Sequence, residues 1–232
     1  MPNIVILTGA GISAESGLAT FRGPEGLWEG YRVEDVCTPE ALARDEAMVM
    51  RFYDARRAAL GMVAPNPAHD ALARLDAGWP GELLIVTQNV DDLHERAGTR
   101  RLVHMHGELN AALCRACERR MRFAGDMIDR RLCPACGAEA LRPDIVFFGE
   151  MPHAMPAIED ALLAADLFVS IGTSGAVYPA AGFVGMARAA GAETLELNLE
   201  PSAGSALFDE SRFGPAGLLV PQWADDLLAT HA

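Results

Sequence analysis

The stretch IVILTGAGIS, residues 4–13, decides the fold class of this chain. An apolar run that suits a buried strand leads directly into a glycine-rich turn, which is typical of nucleotide-binding α/β domains. Further strand patterns follow at residues 83–87, 102–106, 144–148, 167–171 and 194–199. Because apolar strands alternate with helical segments, we predict an α/β fold: a mostly parallel, Rossmann-like sheet covered by helices on both faces.

Helix formers and terminating residues place the predicted helices. We expect one helix from Thr38 to about Met62, and another, capped by Asn66, that runs to Gly78. A short helix should end near Gly98. The remaining helices are predicted at residues 154–165, 179–190 and 221–229.

Residues 108–142 differ in character from the rest of the chain. They cluster arginine, lack apolar periodicity and contain two Cys-x2-Cys pairs, Cys114/Cys117 and Cys133/Cys136. Four thiolates at this spacing suit one tetrahedral zinc ion with no open position, so we predict a structural zinc. The fifth cysteine, Cys37, is interpreted as a small core residue rather than a nucleophile.

This difference gives a predicted domain division. Residues 1–30, 66–107 and 143–232 would form a discontinuous Rossmann-like domain. Residues 31–65 would supply the helical part of a small domain, and residues 108–142 its inserted zinc-binding module.

Composition narrows the classes of function. The formal net charge of −13 disfavours a nucleic-acid binder, which needs a basic surface, and suits a cationic protein partner or plain solubility. No signal peptide and no apolar run of roughly 18 residues is evident, so we expect a cytoplasmic protein that does not enter a membrane. All 19 basic residues are arginine, so the chain has no side-chain lysine of its own to be acylated.

Polar residues at strand ends predict one crevice. Gln88, Asn89 and Asp91 follow one strand, Gly172-Thr173-Ser174 another and Asn198-Leu199-Glu200 a third. In open parallel sheets the binding site lies beyond these carboxyl ends, although each group alone could be turn chemistry.

Two features of this crevice stay ambiguous. Alternation along a strand puts His104 and His106 on the same side, so the pattern does not choose between them. The turn at Gly9 and Gly11 departs from the dehydrogenase spacing, since Ala14 stands where a third glycine would fall, and a tight structural turn explains it equally well.

Taken together, these motifs resemble the sirtuin family over essentially the whole chain. Residues 9–17 with Thr20-Phe21-Arg22 resemble its cofactor loop, residues 88–98 its second signature and His106-Gly107 its catalytic histidine. The zinc quartet and the later strand-end motifs follow in the family's order. The resemblance implies an NAD-dependent protein-lysine deacylase that produces nicotinamide, 2′-O-acyl-ADP-ribose and free lysine. It also implies acyl-lysine proteins as partners, NAD as a consumed co-substrate, no specific nucleic acid and a monomer.

The resemblance assigns roles to residues. His106 would be the general base, with Asn89 as a second catalytic residue. The implied NAD-binding residues are Gly9, Ala10, Gly11, Ile12, Glu15, Thr20, Phe21, Arg22, Trp28, Gln88, Asn89, Asp91, Gly172, Thr173, Ser174, Asn198, Leu199, Glu200 and Ala216. The substrate peptide would pair with the segment at Val146, Phe147, Phe148 and Gly149, with Glu150 after it.

A tyrosine and an arginine point to one subgroup. Tyr53 and Arg56 share a helical face and stand where class III sirtuins, bacterial ones included, carry the pair that recognises succinyl and malonyl groups. A guanidinium can bind a carboxylate through two hydrogen bonds, and a phenol can add another, whereas an acetyl group offers neither partner.

Two other classes of function are consistent with parts of the sequence. A Rossmann oxidoreductase with a structural zinc would need an acidic residue after the second strand to bind the ribose, and none is evident. A non-enzymatic zinc-ribbon interaction protein would suit the arginine-rich module, but not the negative net charge or the polar strand ends.

Overall fold

The computed structural model of the chain describes residues 1–19, 27–28 and 30–231, without the side chains of residues 27 and 28. Its strands are β1 (Ile4–Thr8), β2 (Leu27–Trp28), β3 (Tyr31–Arg32), β4 (Leu83–Thr87), β5 (Leu102–His104), β6 (Gly107–Cys114), β7 (Arg120–Arg122), β8 (Leu141–Ile145), β9 (Leu167–Ile171), β10 (Glu193–Asn198) and β11 (Glu210–Phe213). Its helices are α1 (Ala10–Ser13), α2 (Val33–Val36), α3 (Pro39–Arg44), α4 (Glu46–Leu60), α5 (Pro67–Gly78), α6 (Leu93–Ala97), α7 (Met155–Leu163), α8 (Phe183–Ala189) and α9 (Ala216–Thr230).

The larger sheet is parallel throughout, in the order β11-β10-β9-β1-β4-β5. Alternation along the central strand β1 sends Ile4 and Ile6 into one core and Val5 and Leu7 into another. Helices α5 and α9 cover the first face, and α7 and α8 cover the second. The predicted α/β, Rossmann-like fold is confirmed.

A smaller antiparallel sheet, β7-β6-β8, forms a separate core with α2, α3 and α4. The strand predicted at residues 144–148 is wrong in its bounds. It is observed at Leu141–Ile145, and it pairs with β6 in this sheet rather than continuing the parallel one. A strand that is buried along its whole length looks alike in both settings, so its partner could not be read from the pattern. The predicted domain division stays a prediction.

Several predicted helices have different bounds. The helix expected from Thr38 to Met62 is broken at Asp45, whose side chain accepts a hydrogen bond from the N–H of Met48 at 2.9 Å and so begins α4. The segment 179–190 starts as a 3-10 turn before α8. The last helix begins at Ala216 rather than at Pro221, because the carboxylate of Glu15 accepts from Gly217 N–H in its first turn.

The α5 helix follows the prediction. Asn66 caps it, accepting from the N–H of Ala68 at 3.0 Å, with Pro67 at the first helical position. Among the described residues, no helix is both long and apolar enough to span a membrane.

Candidate active site

A cavity of about 270 Å³ lies beyond the carboxyl ends of β1, β4 and β9, between the two sheets. Fifteen of the predicted site residues share its wall: Gly9, Ala10, Gly11, Arg56, Gln88, Asn89, Asp91, His106, Val146, Phe147, Phe148, Gly149, Gly172, Thr173 and Ser174. The predicted strand-end groups after β4 and β9 therefore meet at one crevice, whereas the third predicted group, Asn198-Leu199-Glu200, does not reach its wall.

The glycine turn is built by close packing against a second turn. Gly9 N–H donates to the carbonyl of Ile171 at 3.0 Å and Gly11 N–H to that of Gly172 at 2.8 Å. A Cβ on Gly11 would stand 2.7 Å from the Gly172 backbone, which explains the glycines sterically. The N–H groups of Gly9 and Gly11 are therefore already used within the protein, and the α1 helix that follows has only four residues.

Threonines at the strand ends set the backbone beside the cavity. Thr8 and Thr87 are paired in the register of β1 and β4, and their hydroxyls are 2.9 Å apart. The Thr87 hydroxyl accepts from Asn89 N–H at 3.0 Å. Nε2 of His94 lies 3.0 Å from the Thr8 hydroxyl, and burial lowers the pKa of His94. These bonds fix where Asn89 enters the cavity wall.

A buried polar chain runs from Asn89 to Asp91 through Ser13. The Asn89 amide donates to Ser13 Oγ at 3.0 Å, and Ser13 donates to Asp91 Oδ2 at 3.0 Å. Burial raises the pKa of Asp91, although hydrogen bonds from Leu93 N–H and Ser13 act in the opposite direction. These hydrogen bonds hold the amide of Asn89 and the carboxyl group of Asp91 side by side.

His69 lies next to Ser13 and sets the direction of the hydrogen bonds in this buried series. Its Nδ1 accepts from Asn66 N–H at 3.3 Å, so the proton of the neutral ring is on Nε2, which faces Ser13 Oγ at 3.4 Å. Burial lowers the pKa of His69 to about 4, which keeps the ring neutral at pH 7.

The structure separates the two candidate histidines. His106 lies on the cavity wall, and its Nδ1 is 3.2 Å from the carbonyl of Gln88. A carbonyl only accepts, so Nδ1 carries the proton of the neutral ring and Nε2 is the basic nitrogen. Burial lowers the pKa of His106, which favours this neutral form.

His104 does not lie on the cavity wall. Its Nδ1 binds the carbonyl of Asn89 at 3.0 Å and its Nε2 lies 2.8 Å from Glu95 Oε1. The ion pair with Glu95 raises the pKa of His104 against the effect of burial. The expectation that both rings share one side fails because β5 ends at His104, and the chain turns before His106.

The two residues of the predicted acyl-recognition pair lie at different depths from the cavity. Arg56 lies on the cavity wall with its guanidinium 4.2 Å from the centre of the Phe52 ring. Tyr53 is fully buried and stacked on Phe147 at 6.0 Å, and the thiol of Cys37 lies beside its hydroxyl. Burial raises the pKa of Tyr53 well above its ordinary value.

The predicted peptide-pairing segment is not a strand, since β8 ends at Ile145. Val146 N–H donates to the carbonyl of His106 and Phe148 N–H to that of Cys37, both at 2.9 Å. Phe147 N–H donates to the carboxylate of Glu150 at 2.9 Å. A substrate strand added here would therefore have to rely on carbonyl groups of this segment rather than on these N–H donors.

The other predicted site residues that the structure describes lie away from the cavity wall. Ile12 is in the core beneath the sheet, and Asn198 is buried, donating from its amide to the carbonyl of Thr173. Glu15, Leu199, Glu200 and Ala216 are at or near the surface beyond the cavity. Thr20, Phe21, Arg22 and the side chain of Trp28 lie outside the described residues.

Some wall residues were missed by the sequence reasoning. Ser13 and Cys37 both line the cavity, and so does Tyr178, whose ring is 79% exposed at its rim. Ser13 could have been found as the polar residue that ends the glycine turn. Cys37, expected in the core, does belong to the core between the antiparallel sheet and helices α2, α3 and α4, but it also reaches the wall.

The four predicted zinc ligands are brought together. The Sγ atoms of Cys114 and Cys136 are 3.7 Å apart and those of Cys117 and Cys133 are 3.8 Å apart. Tetrahedral zinc with Zn–S bonds of about 2.3 Å separates its sulfurs by about 3.8 Å. The donor set and its spacing therefore fit a structural zinc ion.

Comparison with known proteins decides the family. A family model described as "SIR2: Sir2 family" matches residues 9–179. An NAD-dependent protein deacylase of Caulobacter vibrioides is 56% identical over 230 residues, which is 97% of this chain and 97% of that protein. The chain belongs to the Sir2 family.

Solved structures of Sir2 proteins agree with this family membership. A Sir2 homolog–NAD complex superposes with a TM-score of 0.90 at 35% identity, covering 99% of this chain and 91% of that one. A Sir2 homologue mutant with 2′-O-acetyl ADP ribose gives 0.88 at 35% identity, covering 98% and 92%. A Sir2–p53 peptide–NAD+ complex gives 0.79 at 27% identity, covering 99% and 93%. The predicted sirtuin family, enzyme class and zinc-bearing α/β fold are confirmed.

Proposed function

We propose that this NAD-dependent protein deacylase removes acidic acyl groups, succinyl and malonyl, as well as acetyl, from protein lysines. The observation that carries the proposal is the position of Arg56. Arg56 lines the same cavity as His106, together with Cys37 and Phe148. A cation on the wall of an acyl cavity favours a substrate that ends in a carboxylate.

His106 is the proposed general base. Its Nδ1 is held by the Gln88 carbonyl, so Nε2 can take a proton from a ribose hydroxyl. The lowered pKa keeps that nitrogen unprotonated near neutral pH. A base whose pKa lies slightly below the working pH is both available and strong enough for this transfer.

The wall residues that follow strands of the parallel sheet fit NAD. Asn89 and Asp91 can bind a carboxamide, since one supplies an amide and the other a carboxyl group whose oxygens accept further hydrogen bonds. The turns at Gly9, Gly11 and Gly172 leave backbone rather than side chains facing the cavity. When bound, NAD supplies a ribose carbon that releases nicotinamide and receives the acyl oxygen.

The zinc module would act in folding rather than in chemistry. Its four thiolates would satisfy a tetrahedral ion and leave no position for substrate. The module then serves to hold β6 and β8, whose ends carry His106 and Val146 to the cavity.

We further propose the partners, the location and the oligomeric state of the enzyme. Acyl-lysine proteins are the proposed partners, in keeping with the peptide complex of the related Sir2 protein and with this chain's net charge of −13. We also propose a cytoplasmic monomer that binds no specific nucleic acid.

An acyl panel tests the proposal. We expect the wild-type protein to release nicotinamide with acetyl-, malonyl- and succinyl-lysine peptides. Arg56→Met should lower kcat/KM for the two acidic peptides by about tenfold or more, the worth of a hydrogen bond to a charged group, and should affect acetyl much less. Arg51→Met is the matched control, because Arg51 is exposed on the same helix and does not line the cavity. Equal losses for all three peptides with Arg56→Met would remove Arg56 from acyl recognition.

A further inference from the structure

Strand β10 carries a buried carboxylate, Glu196, which is only 1% exposed. Its neighbours Leu195 and Leu197 point into the apolar core covered by α5 and α9, so Glu196 lies on the opposite face of the sheet. It is paired in register with Ser170 on one side and with Ser211 on the other. A buried carboxylate is costly unless hydrogen bonds satisfy it, so its partners show what it holds in place.

The carboxylate binds both the neighbouring strand and the loop that follows β10. Oε1 accepts from the N–H of Ser202 at 3.2 Å. Oε2 accepts from the hydroxyl of Ser205 at 2.5 Å and from that of Ser211, on β11, at 3.0 Å. Burial alone would raise the pKa of Glu196, but these hydrogen bonds hold it below its ordinary value, so the group is ionised at pH 7. A charged carboxylate thus fixes residues 202–205 to the sheet.

The fixed loop supports the turn that follows β9. Ala203 N–H donates to the carbonyl of Ser174 at 3.0 Å. Gly175 packs so closely on Gly204 that a Cβ on Gly175 would stand 2.9 Å from the backbone nitrogen of Gly204. Ser174 lines the cavity, whereas the buried carboxylate of β10 does not. The carboxylate therefore influences the cavity wall only through the loop.

We propose that Glu196 is a positioning residue for NAD binding, which holds the turn at residues 172–175 in place through the loop at residues 202–205. This role rests on the proposed function, in which NAD lies against the strand-end turns of the cavity wall. A turn that is already ordered lets NAD bind without the cost of ordering the backbone, whereas a loose turn adds that cost to binding. The ring of His106 is held by the carbonyl of Gln88 rather than by this loop, so the chemical step should be unchanged once NAD is bound.

Steady-state kinetics with an acetyl-lysine peptide test the role of Glu196. The acetyl group makes the outcome independent of whether Arg56 recognises acidic acyl groups. Glu196→Gln keeps the size of the side chain but removes its charge and one of its two accepting oxygens. We expect KM for NAD to rise about tenfold, while KM for the peptide and kcat at saturating NAD stay within about twofold of the wild-type values. Ser205→Ala removes one hydrogen bond to Glu196 and should raise KM for NAD about threefold, which decides the question if Glu196→Gln does not fold.

Asp209→Asn is the matched control. Asp209 also accepts hydrogen bonds from β10, from the N–H and the hydroxyl of Thr194 at 3.0 and 2.8 Å, but at the end of the strand away from the cavity. We expect this variant to leave KM for NAD unchanged. Partial unfolding reduces the number of active molecules, which lowers kcat and leaves KM intact, so a purely structural role of Glu196 predicts no change in KM.

Unchanged KM for NAD in both Glu196→Gln and Ser205→Ala would overturn the proposal, and so would an equal rise in Asp209→Asn or in KM for the peptide. Ser174→Tyr, which adds a ring on the cavity wall, tests the placement of NAD separately and should raise KM for NAD. If it does not, NAD does not lie against this turn, and the proposed placement fails together with the role of Glu196. If it does while the Glu196 and Ser205 variants have no effect, only the role of Glu196 fails.

Discussion

At the scale of single residues, two histidines of one short segment hold two consecutive carbonyl groups. His104 binds the carbonyl of Asn89 and His106 that of Gln88, yet only His106 lies on the cavity wall. The sequence predicts both histidines near the site, but cannot choose between them. Which histidine reaches the cavity depends on where the pairing of β5 with β4 ends and on the position of Glu95. The residues around the two histidines specify neither.

The other residues of the site divide in a similar way. The inward-facing strand ends at Asn89, Asp91 and Thr173 were predictable, because polar residues after buried strands have few other places to go. The depth of Tyr53 relative to Arg56 was not predictable, since both share one helical face. Their difference arises from the aromatic rings of Phe52 and Phe147, which close over one and leave the other on the wall.

The pH dependence of catalysis follows from His106. The base form is the neutral ring, and burial, the largest influence, lowers the pKa below the ordinary 6.5 despite the opposing hydrogen bond to Gln88. Activity should therefore be lost as the pH falls through a value below 6.5. We expect the acid limb of the kcat/KM profile to lie below pH 6.5 and kcat to collapse in His106→Ala. An acid limb above pH 6.5 would contradict this assignment.

At the scale of elements, helix α4 has one side at the cavity and another against the antiparallel sheet. Arg56 lies on the cavity wall, whereas Asp54 and Arg57 join the helix to β6 and to the segment between the two cysteine pairs. Arg57 donates to Asp54 at 2.6 Å and to the Leu109 carbonyl at 2.6 Å. The carboxylate of Asp54 also accepts from the N–H groups of residues 127 and 128, which lie between the two cysteine pairs in the chain.

The buried ion pair of Asp54 and Arg57 gives a prediction for stability. Asp54→Ala leaves the Arg57 charge buried without its partner, so we expect the free energy of unfolding to fall by about 3–5 kcal/mol. Asp35→Ala, which breaks the exposed pair with Arg44, is the control and should cost about 1 kcal/mol or less. Urea unfolding of the zinc-loaded protein measures both free energies. Equal, small losses in the two variants would show that the buried ion pair does not stabilise the fold.

The predicted strands and helices match the structure where the sequence pattern that indicates them is local. The strands β1, β4 and β9 and the capped helix α5 carry their pattern within a few residues. The partner strand of β8 could not be read from its own pattern, and β11 is partly exposed and rich in polar residues. Its pairing with β10 supplies what its own sequence does not.

At the scale of the whole molecule, three cores surround one cavity. Two lie on the faces of the parallel sheet and the third lies between the antiparallel sheet and helices α2, α3 and α4, and the cavity lies beyond the carboxyl ends of β1, β4 and β9. Sequence patterns predict that such a crevice exists, and they predict correctly that the ends of β4 and β9 reach it. They cannot predict its volume or its wall, because both depend on how the two parts of the chain approach each other.

The central claim is that lysine deacylation consumes NAD, with His106 as the base. The most direct measurement is product stoichiometry by mass spectrometry, with an acyl-lysine peptide and NAD, for the wild-type protein and His106→Ala. We expect one nicotinamide and one 2′-O-acyl-ADP-ribose for each lysine released by the wild-type protein, and neither product from the folded variant. Release of a free carboxylic acid without nicotinamide, or full activity in His106→Ala, would contradict the claim.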